Sequence, residues 1–310
     1  MNPLTELRGI ITVLNTPFTE DNAIDIEGFQ KNVQHALDAG VAGFLVPAMA
    51  SEVDKLSPEE REQLVLAALE VARGKKPVIG GASAPVTEAR VTAGRRLLDL
   101  GCDGILAAIP YHDDQQYERD LRALAALEPP FLMVQDWDPA GYGVPVPLIA
   151  RLFREVSAFQ ALKIEVVPAG VKYSAVIEAT EGRLHVSGGW AVMQMIEAMD
   201  RGVHAFMPTA MHPIYTRIYA LYHAGRRDAA RALFDRLLPV IAFSNQHLDI
   251  SIHFFKRLLH RQGVFRTARV RKPILPFDAC HARIADELAD YAIQLMQNLE
   301  KFPEYRLQPA

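Results

Sequence analysis

Residues 159–165, FQALKIE, form a short apolar run with strand-forming side chains and one lysine inside it. An ammonium is costly to bury, so Lys163 either snorkels from a strand end or is held there as a partly desolvated amine. Working outward, the run is the sixth of eight. Upstream lie GIITVLN (9–15), GFLVP (43–47), PVIGGA (77–82), DGILAAI (103–109) and FLMVQD (131–136); downstream lie LHVSGG (184–189) and HAFMP (204–208). Amphipathic stretches of helical period separate them, among them 87–100, 117–127, 146–156, 170–180 and 191–201. Strand and helix alternating eight times between residues 9 and 208 is the pattern of an α/β fold of the (β/α)8 TIM-barrel type. The alternative, a doubly wound open sheet, usually ends near five or six strands.

Helix boundaries are well marked. Asp25 is placed to cap a helix whose apolar face is Ile26, Phe29, Val33, Ala36 and Leu37, and Gly40 closes it. In SPEE, Ser57 caps, Pro58 takes the first helical position and Glu60 completes a capping box. Beyond residue 211 the strand pattern stops. RRDAARALFDRLLPVIAFSNQ, DISIHFFKRLLHRQG and HARIADELADYAIQLMQNLE read as three more helices, giving a barrel over 1–224 and a C-terminal helical extension over 225–310. The basic, proline-punctuated connection VFRTARVRKPILPF reads as a solvated loop.

Composition narrows the partners. The chain has 310 residues, 50% of them hydrophobic and 23% charged, with a formal net charge of −4. Without a basic block, neither nucleic acid nor an anionic membrane is an expected partner, which leaves a small molecule. Cys102 and Cys280 are far apart and lack C-x-x-C spacing, so neither a disulfide framework nor a zinc site is indicated. The opening MNPLTELRGIITVLNTPF does not read as a secretory signal and no segment is apolar enough to span a bilayer, so a cytoplasmic location is expected.

In a barrel enzyme the chemistry lies at the C-terminal ends of the strands. Those positions hold Thr16, Met49 to Glu52, Ser83, Tyr111 and His112, Asp136, Lys163 and Glu165, Ser187 to Trp190, and Thr209: a polar ring around one lysine. Strand alternation puts Lys163 and Glu165 on one face. A lysine of ordinary pKa about 10.4 is protonated at neutral pH, and desolvation to about 7–8 would supply free amine able to attack a ketone. The resulting iminium stabilises a carbanion at the next carbon, which permits either retro-aldol cleavage or loss of a C3 proton with expulsion of a C4 hydroxyl. Asp136 and His112 are the expected proton carriers. Lys172, in AGVKYSAV, competes for the nucleophile's role but is expected on the exposed side of an outer helix.

GIITVLNTPFTEDNAIDIEGF, AGVAGFLV, SEVDKLSPEER, LKIE and GRRDAARALFDRLLP, in this order and spacing, resemble the dihydrodipicolinate synthase / N-acetylneuraminate lyase superfamily from about residue 8 to 300. The resemblance implies a barrel with a C-terminal helical extension, a tetramer, and a Schiff base between a barrel lysine, here Lys163, and a 2-keto acid. It also shows departures. The family's Gly-Thr-Thr-Gly-Glu carboxylate loop is here Ala48, Met49, Ala50, Ser51 and Glu52, leaving Ser51 and the amides of Met49 and Ala50 to bind a carboxylate. The relay tyrosine of the fifth strand falls at Asp136, and the neighbour-subunit tyrosine at His112, or at Tyr111 after a one-residue shift. The synthases' carboxylate-binding arginine falls at about Gly141.

These residues imply a Schiff-base lyase, aldolase or dehydratase, for a 2-keto-3-deoxy sugar acid. Lys163 would be the nucleophile, Asp136 the acid/base assisted by His112, and Ser51, Met49, Ala50, Tyr111, Trp190 and Thr209 the substrate wall. No metal or organic cofactor is implied, since the iminium is the electron sink. Three alternatives stand beside this reading: a synthase-like condensation of pyruvate with an aldehyde, metal-assisted enolisation with Asp136, Glu165 and His112 as ligands, and a barrel that binds a keto acid without turnover.

Overall fold

The protein is described by a computed structural model covering Leu4 and residues 7–307, without the side chains of Trp190 and Ala191. Eight parallel strands close into a barrel in chain order: β1 (Gly9–Val13), β2 (Gly43–Val46), β3 (Val78–Gly81), β4 (Gly104–Ala108), β5 (Leu132–Asp138), β6 (Phe159–Val166), β7 (His185–Gly188) and β8 (Ala205–Phe206). Closure is made by β1 on β8, with Gly9 opposite Ala205 and Ile10 opposite Phe206. The helices are α1 (Ile26–Asp38), α2 (Pro58–Ala72), α3 (Thr87–Leu100), α4 (Asp114–Ala125), α5 (Val146–Glu155), α6 (Ala169–Ala179), α7 (Met195–Asp200) and α8 (His212–His223). Three more follow: α9 (Arg227–Ser244), α10 (Leu248–Arg261) and α11 (Ala279–Gln297). No helix among the described residues is long and apolar enough to cross a membrane.

The strands read as apolar runs because a parallel barrel strand is covered on both faces. The expected starts form as the side chains dictate: Gly28 N donates to Asp25 Oδ1 at 3.0 Å, and Ser57 and Glu60 exchange bonds of 3.2 and 3.0 Å at the head of α2. Among the boundaries that differ from the sequence expectation, three have a visible cause. β1 ends at Val13, because Asn15 and Thr16 turn their side chains onto the carbonyls of Ala50 and Ser51. β5 runs on to Asp138, because it keeps pairing with β6 as far as Asp138 opposite Val166. The stretch 191–201 divides into a 3₁₀ turn, Trp190–Gln194, and α7, since tighter turns are a common entry to an α-helix.

Backbone proximity groups the chain into two compact units. One comprises the chain through Ile11, Ala42–Val46 and Arg73–Pro208; the other comprises Thr12–Val41, Pro47–Ala72 and the residues from Thr209 onward. The first carries most of the strands and two buried imidazoles, His185, whose Nε2 lies 2.8 Å from Leu7 O, and His204, whose Nδ1 accepts from Val186 N at 2.9 Å. The second carries buried His212, with Nε2 2.7 Å from Thr12 Oγ1.

The second unit also contains a charge cluster that the sequence reading missed. Glu52, in the left-handed conformation at φ 59°, is wholly buried, and its Oε1 lies 2.5 Å from the equally buried Nζ of Lys256 on α10. Its Oε2 accepts from Arg271 N at 2.9 Å and lies 3.5 Å from Lys55 Nζ. The Phe18 ring sits between Lys256 Nζ and the Arg271 guanidinium, at 4.1 and 4.2 Å. Burial pulls the Lys256 ammonium down to about 8 against the attraction of Glu52. The expectation of a merely solvated loop at 264–277 is corrected here: Arg266 pairs with Glu27, Arg269 with Glu20, and Arg271 with Glu60 at 2.5 Å.

Two stability predictions follow from these buried groups. Lys256→Met leaves the Glu52 carboxylate without its main counter-charge and is expected to cost about 3–5 kcal/mol in urea unfolding, part of which the double variant with Glu52→Gln recovers. Burial holds His185 and His204 down at about 4 and His212 at about 3, against an unfolded value of about 6.5. Below about pH 6.5 the unfolded chain therefore binds more protons, and the stability present above that pH is lost as pH falls toward about 4. Unfolding in unbuffered guanidinium at pH 5.5 should raise the pH; no proton uptake there would mean these imidazoles are not held neutral.

Candidate active site

Strand register decides which polar side chains meet. In β5 and β6, Gln135 lies opposite Lys163, Asp136 opposite Ile164 and Trp137 opposite Glu165; in β7, Ser187 lies opposite Lys163. Paired residues of parallel strands project to the same face and neighbours along a strand to opposite faces. Gln135, Trp137, Lys163, Glu165 and Ser187 therefore share one face, and Asp136 and Ile164 the other. The Asp136 face is the outer one, since its carboxylate meets Lys172 of α6.

On the inner face Lys163 Nζ lies 3.2 Å from Glu165 Oε2, with both side chains only 7% exposed. Gln135 Nε2 donates to the same carboxylate oxygen. Gly189 lies against the pair: a Cβ there would stand 1.9 Å from Glu165 Oε1 and 2.8 Å from Lys163 Cε, so only a residue without a side chain leaves the two groups their positions. Ser187 is completely buried, and its hydroxyl has no hydrogen-bond partner among the described residues. A buried hydroxyl is rarely left in this state, and this one is in register with the lysine. Amine, carboxylate, amide and hydroxyl thus converge, the set needed to form an iminium and move a proton beside it.

Several sequence expectations are corrected. Asp136 is not a neighbour of Lys163 but an outer residue, 2.5 Å from Lys172 Nζ, with Val144 N donating to its other oxygen at 3.0 Å. Lys172 is not exposed: it is fully buried, donates to Tyr142 O and lies 5.0 Å from the Tyr142 ring centre. Burial pushes the Asp136 carboxyl up and the Lys172 ammonium down, each opposed by the other's charge. Since Asp136 and Glu165 point to opposite faces of the sheet, the ligand set Asp136, Glu165 and His112 is not assembled.

Tyr111 and His112 are both exposed in the turn after β4, where Tyr111 Oη donates to Asp114 at 2.7 Å and His112 N to Gln116 at 3.1 Å. Among the described residues, neither hydrogen-bonds to the Lys163 cluster. The side chain of Trp190 lies outside the described residues. Thr209 spends its hydroxyl on Val13 O at 2.7 Å, and Ser83 accepts from Ala108 N at 3.0 Å. Ser51 is likewise committed: its one proton goes to Leu14 O at 2.5 Å while it accepts from Ala48 N at 3.0 Å. That hydroxyl fixes the turn rather than serving as a free donor. Met49 and Ala50 head a 3₁₀ turn that ends at Ser51.

Comparison with known proteins bears on the family and the fold. The model of the dihydrodipicolinate synthetase family matches residues 6–290. An L-2-keto-3-deoxyarabonate dehydratase of Azospirillum brasilense is 28% identical over 278 residues, 86% of this chain and 88% of that protein. A 4-hydroxy-tetrahydrodipicolinate synthase of Xanthomonas axonopodis pv. citri is 29% identical over 306 residues, 93% and 96% of the two chains. Among solved structures, the fold is shared with dihydrodipicolinate synthase from Rhodopseudomonas palustris, at TM-score 0.85 and 23% identity over 92% of this chain and 98% of that one. It is shared equally with a Ruminococcus gnavus sialic acid aldolase, at TM-score 0.85 and 19% identity over 94% and 99%. The barrel, its inward lysine and a family match over most of the length together place the chain in the dihydrodipicolinate synthetase family, whose members are Schiff-base lyases of the class I aldolase type.

Proposed function

We propose that the protein is a Schiff-base dehydratase of 2-keto-3-deoxy sugar acids. The observation that carries the reading is the carboxylate of Glu165, 3.2 Å from Lys163 Nζ on the same inner face. In an iminium the carbon bonded to Nζ is C2 and the next carbon is C3, so a base beside Nζ is a base beside the C3 proton. Lys163 passes its ammonium proton to Glu165 and adds as free amine to the C2 ketone, and the carbinolamine loses water, its departing hydroxyl taking that proton back from Glu165, to give the iminium. Glu165 then takes the C3 proton, and the electron pair left behind forms the enamine. The enamine expels the C4 hydroxyl, which leaves as water with the proton carried by Glu165. Hydrolysis of the conjugated iminium frees Lys163 and the unsaturated keto acid. The net change is the loss of one water.

Dehydration is favoured over C3–C4 cleavage by what stands on β5. Cleavage needs a base at the C4 hydroxyl, and the inward residue of that strand, Gln135, is an amide that cannot be that base at neutral pH, which leaves only Glu165, whose place beside Nζ sets it first against the C3 proton. The similarity to the Azospirillum brasilense dehydratase points the same way. The second reading, a synthase-like condensation, draws on the 29% identity with the Xanthomonas axonopodis pv. citri synthase. It would need a cation for a second carboxylate, and the segment DWDPAGYG after Gln135 has none.

Borohydride reduction with pyruvate followed by intact-mass measurement should show one adduct on the wild type and none on Lys163→Ala. Glu165→Gln should still be trapped by pyruvate while turnover of a 2-keto-3-deoxy sugar acid falls by about 10²–10⁴-fold. Gly189→Ala should impair trapping itself, because its methyl occupies the space of the pair. Release of pyruvate from the sugar acid would overturn dehydration in favour of cleavage.

A further inference from the structure

Trp137 was absent from the sequence expectations, and its place is unusual. It continues the inner face of β5 one pleat beyond Gln135, opposite Glu165, and is 36% exposed where Gln135, Lys163 and Glu165 are nearly closed off. At about 3.3 Å per residue, the two-residue step carries it roughly 7 Å toward the strand's C-terminal end, past the level of Lys163. Pyruvate bound as an iminium is too short to cover that distance; the distal carbons of a sugar acid cover it.

The backbone that presents Trp137 is fixed from the outer side. Asp136 is paired with Lys172 and accepts from Val144 N, Lys172 also donates to Tyr142 O, and Asp138 accepts from Ala140 N and Gly143 N at 3.1 Å each. Asp138 is the one charged residue between Trp137 and Val144. This end of the strand therefore offers a substrate an indole next to a strand that carries a carboxylate, and no cation. A second carboxylate would find no counter-charge on this segment, whereas the C–H face of an uncharged polyhydroxylated chain packs on an indole while its hydroxyls keep their water.

Building on the Schiff-base reading above, we propose that Trp137 is a specificity-determining residue, a platform for the uncharged carbons beyond C4 of a keto acid with a single carboxylate. The test separates the two ideas. Trapping of pyruvate by borohydride in Trp137→Ala should match the wild type, since pyruvate has nothing to place on the indole. KM for a 2-keto-3-deoxy pentonate should rise about tenfold in Trp137→Ala, with Trp137→Phe in between, while kcat changes little. The wild type should turn over the corresponding dicarboxylate, a 2-keto-3-deoxy aldarate, at least tenfold less efficiently than the monocarboxylate, and Trp137→Ala should narrow that ratio. An unchanged KM for the pentonate, or equal losses for pentonate turnover and pyruvate trapping, would overturn the platform and leave the Schiff-base reading standing. Absence of any pyruvate adduct on the wild type would instead remove that reading and the platform with it.

Discussion

The contact between Lys163 and Glu165 sets the terms for everything around it. Two charges nearly removed from water are tolerable only if each compensates the other and the remaining lone pairs are met. Glu165 meets that condition through Lys163 and the Gln135 amide, and Gly189 provides the space in which the pair can lie. Breaking the contact without replacing it would be expensive, so a ligand that enters must take over what the pair supplies to each partner. In the proposed reaction a keto acid does so in sequence: its carbonyl carbon takes the lysine nitrogen, and its C3 proton then takes the place of the ammonium proton at the carboxylate.

The same rule, that a buried charge needs a buried partner, organises the protein away from this centre. Lys172 answers Asp136 on the outer face of β5, and Lys256 answers Glu52 within the second unit. Each of these pairs fixes backbone as well as charge. Asp136 and Lys172 hold the segment after β5 through Val144 N and Tyr142 O. Glu52 holds a left-handed residue and the amide of Arg271. Such pairs contribute little to net stability compared with apolar packing, but they tie a turn to one conformation, and the turns tied here are ones that follow barrel strands.

The eight strands, the helix caps and the lysine on the sixth strand were all legible in the sequence, because apolar period and capping chemistry are local. What was not legible was register. FLMVQD ends on a polar pair, and which of Gln135 and Asp136 turns inward depends on how β5 is staggered against β6, a property of the closed sheet that one strand does not encode. The family resemblance placed the relay at Asp136, one position from the residue that faces Lys163. The buried lysines left a readable trace that went unused. Lys172 shares its helix face with Ala169, Tyr173 and Val176, and Lys256 shares its face with Ile252 and Leu259, all buried. A lysine on an apolar face signals a buried acid waiting for it. The free hydroxyl of Ser187 had no local signal of any kind.

Under the proposed roles, placing the proton carrier on the same strand as the nucleophile also shapes the chemistry. Two residues apart on one strand, Lys163 and Glu165 keep their spacing through any adjustment of β5 or β7, because the pleat alone fixes it. A carrier on a neighbouring strand would depend on register, and one supplied by another subunit would depend on assembly. The short lever also limits reach: a carboxylate two residues from the lysine serves the carbon next to the iminium and the group leaving from the carbon after it. Events further along the substrate fall to whatever side chains lie beyond, and on β5 that is an indole with no proton to give or take in the neutral pH range. On the proposed reading, a site built this way removes water close to the nitrogen and holds the rest of the substrate still.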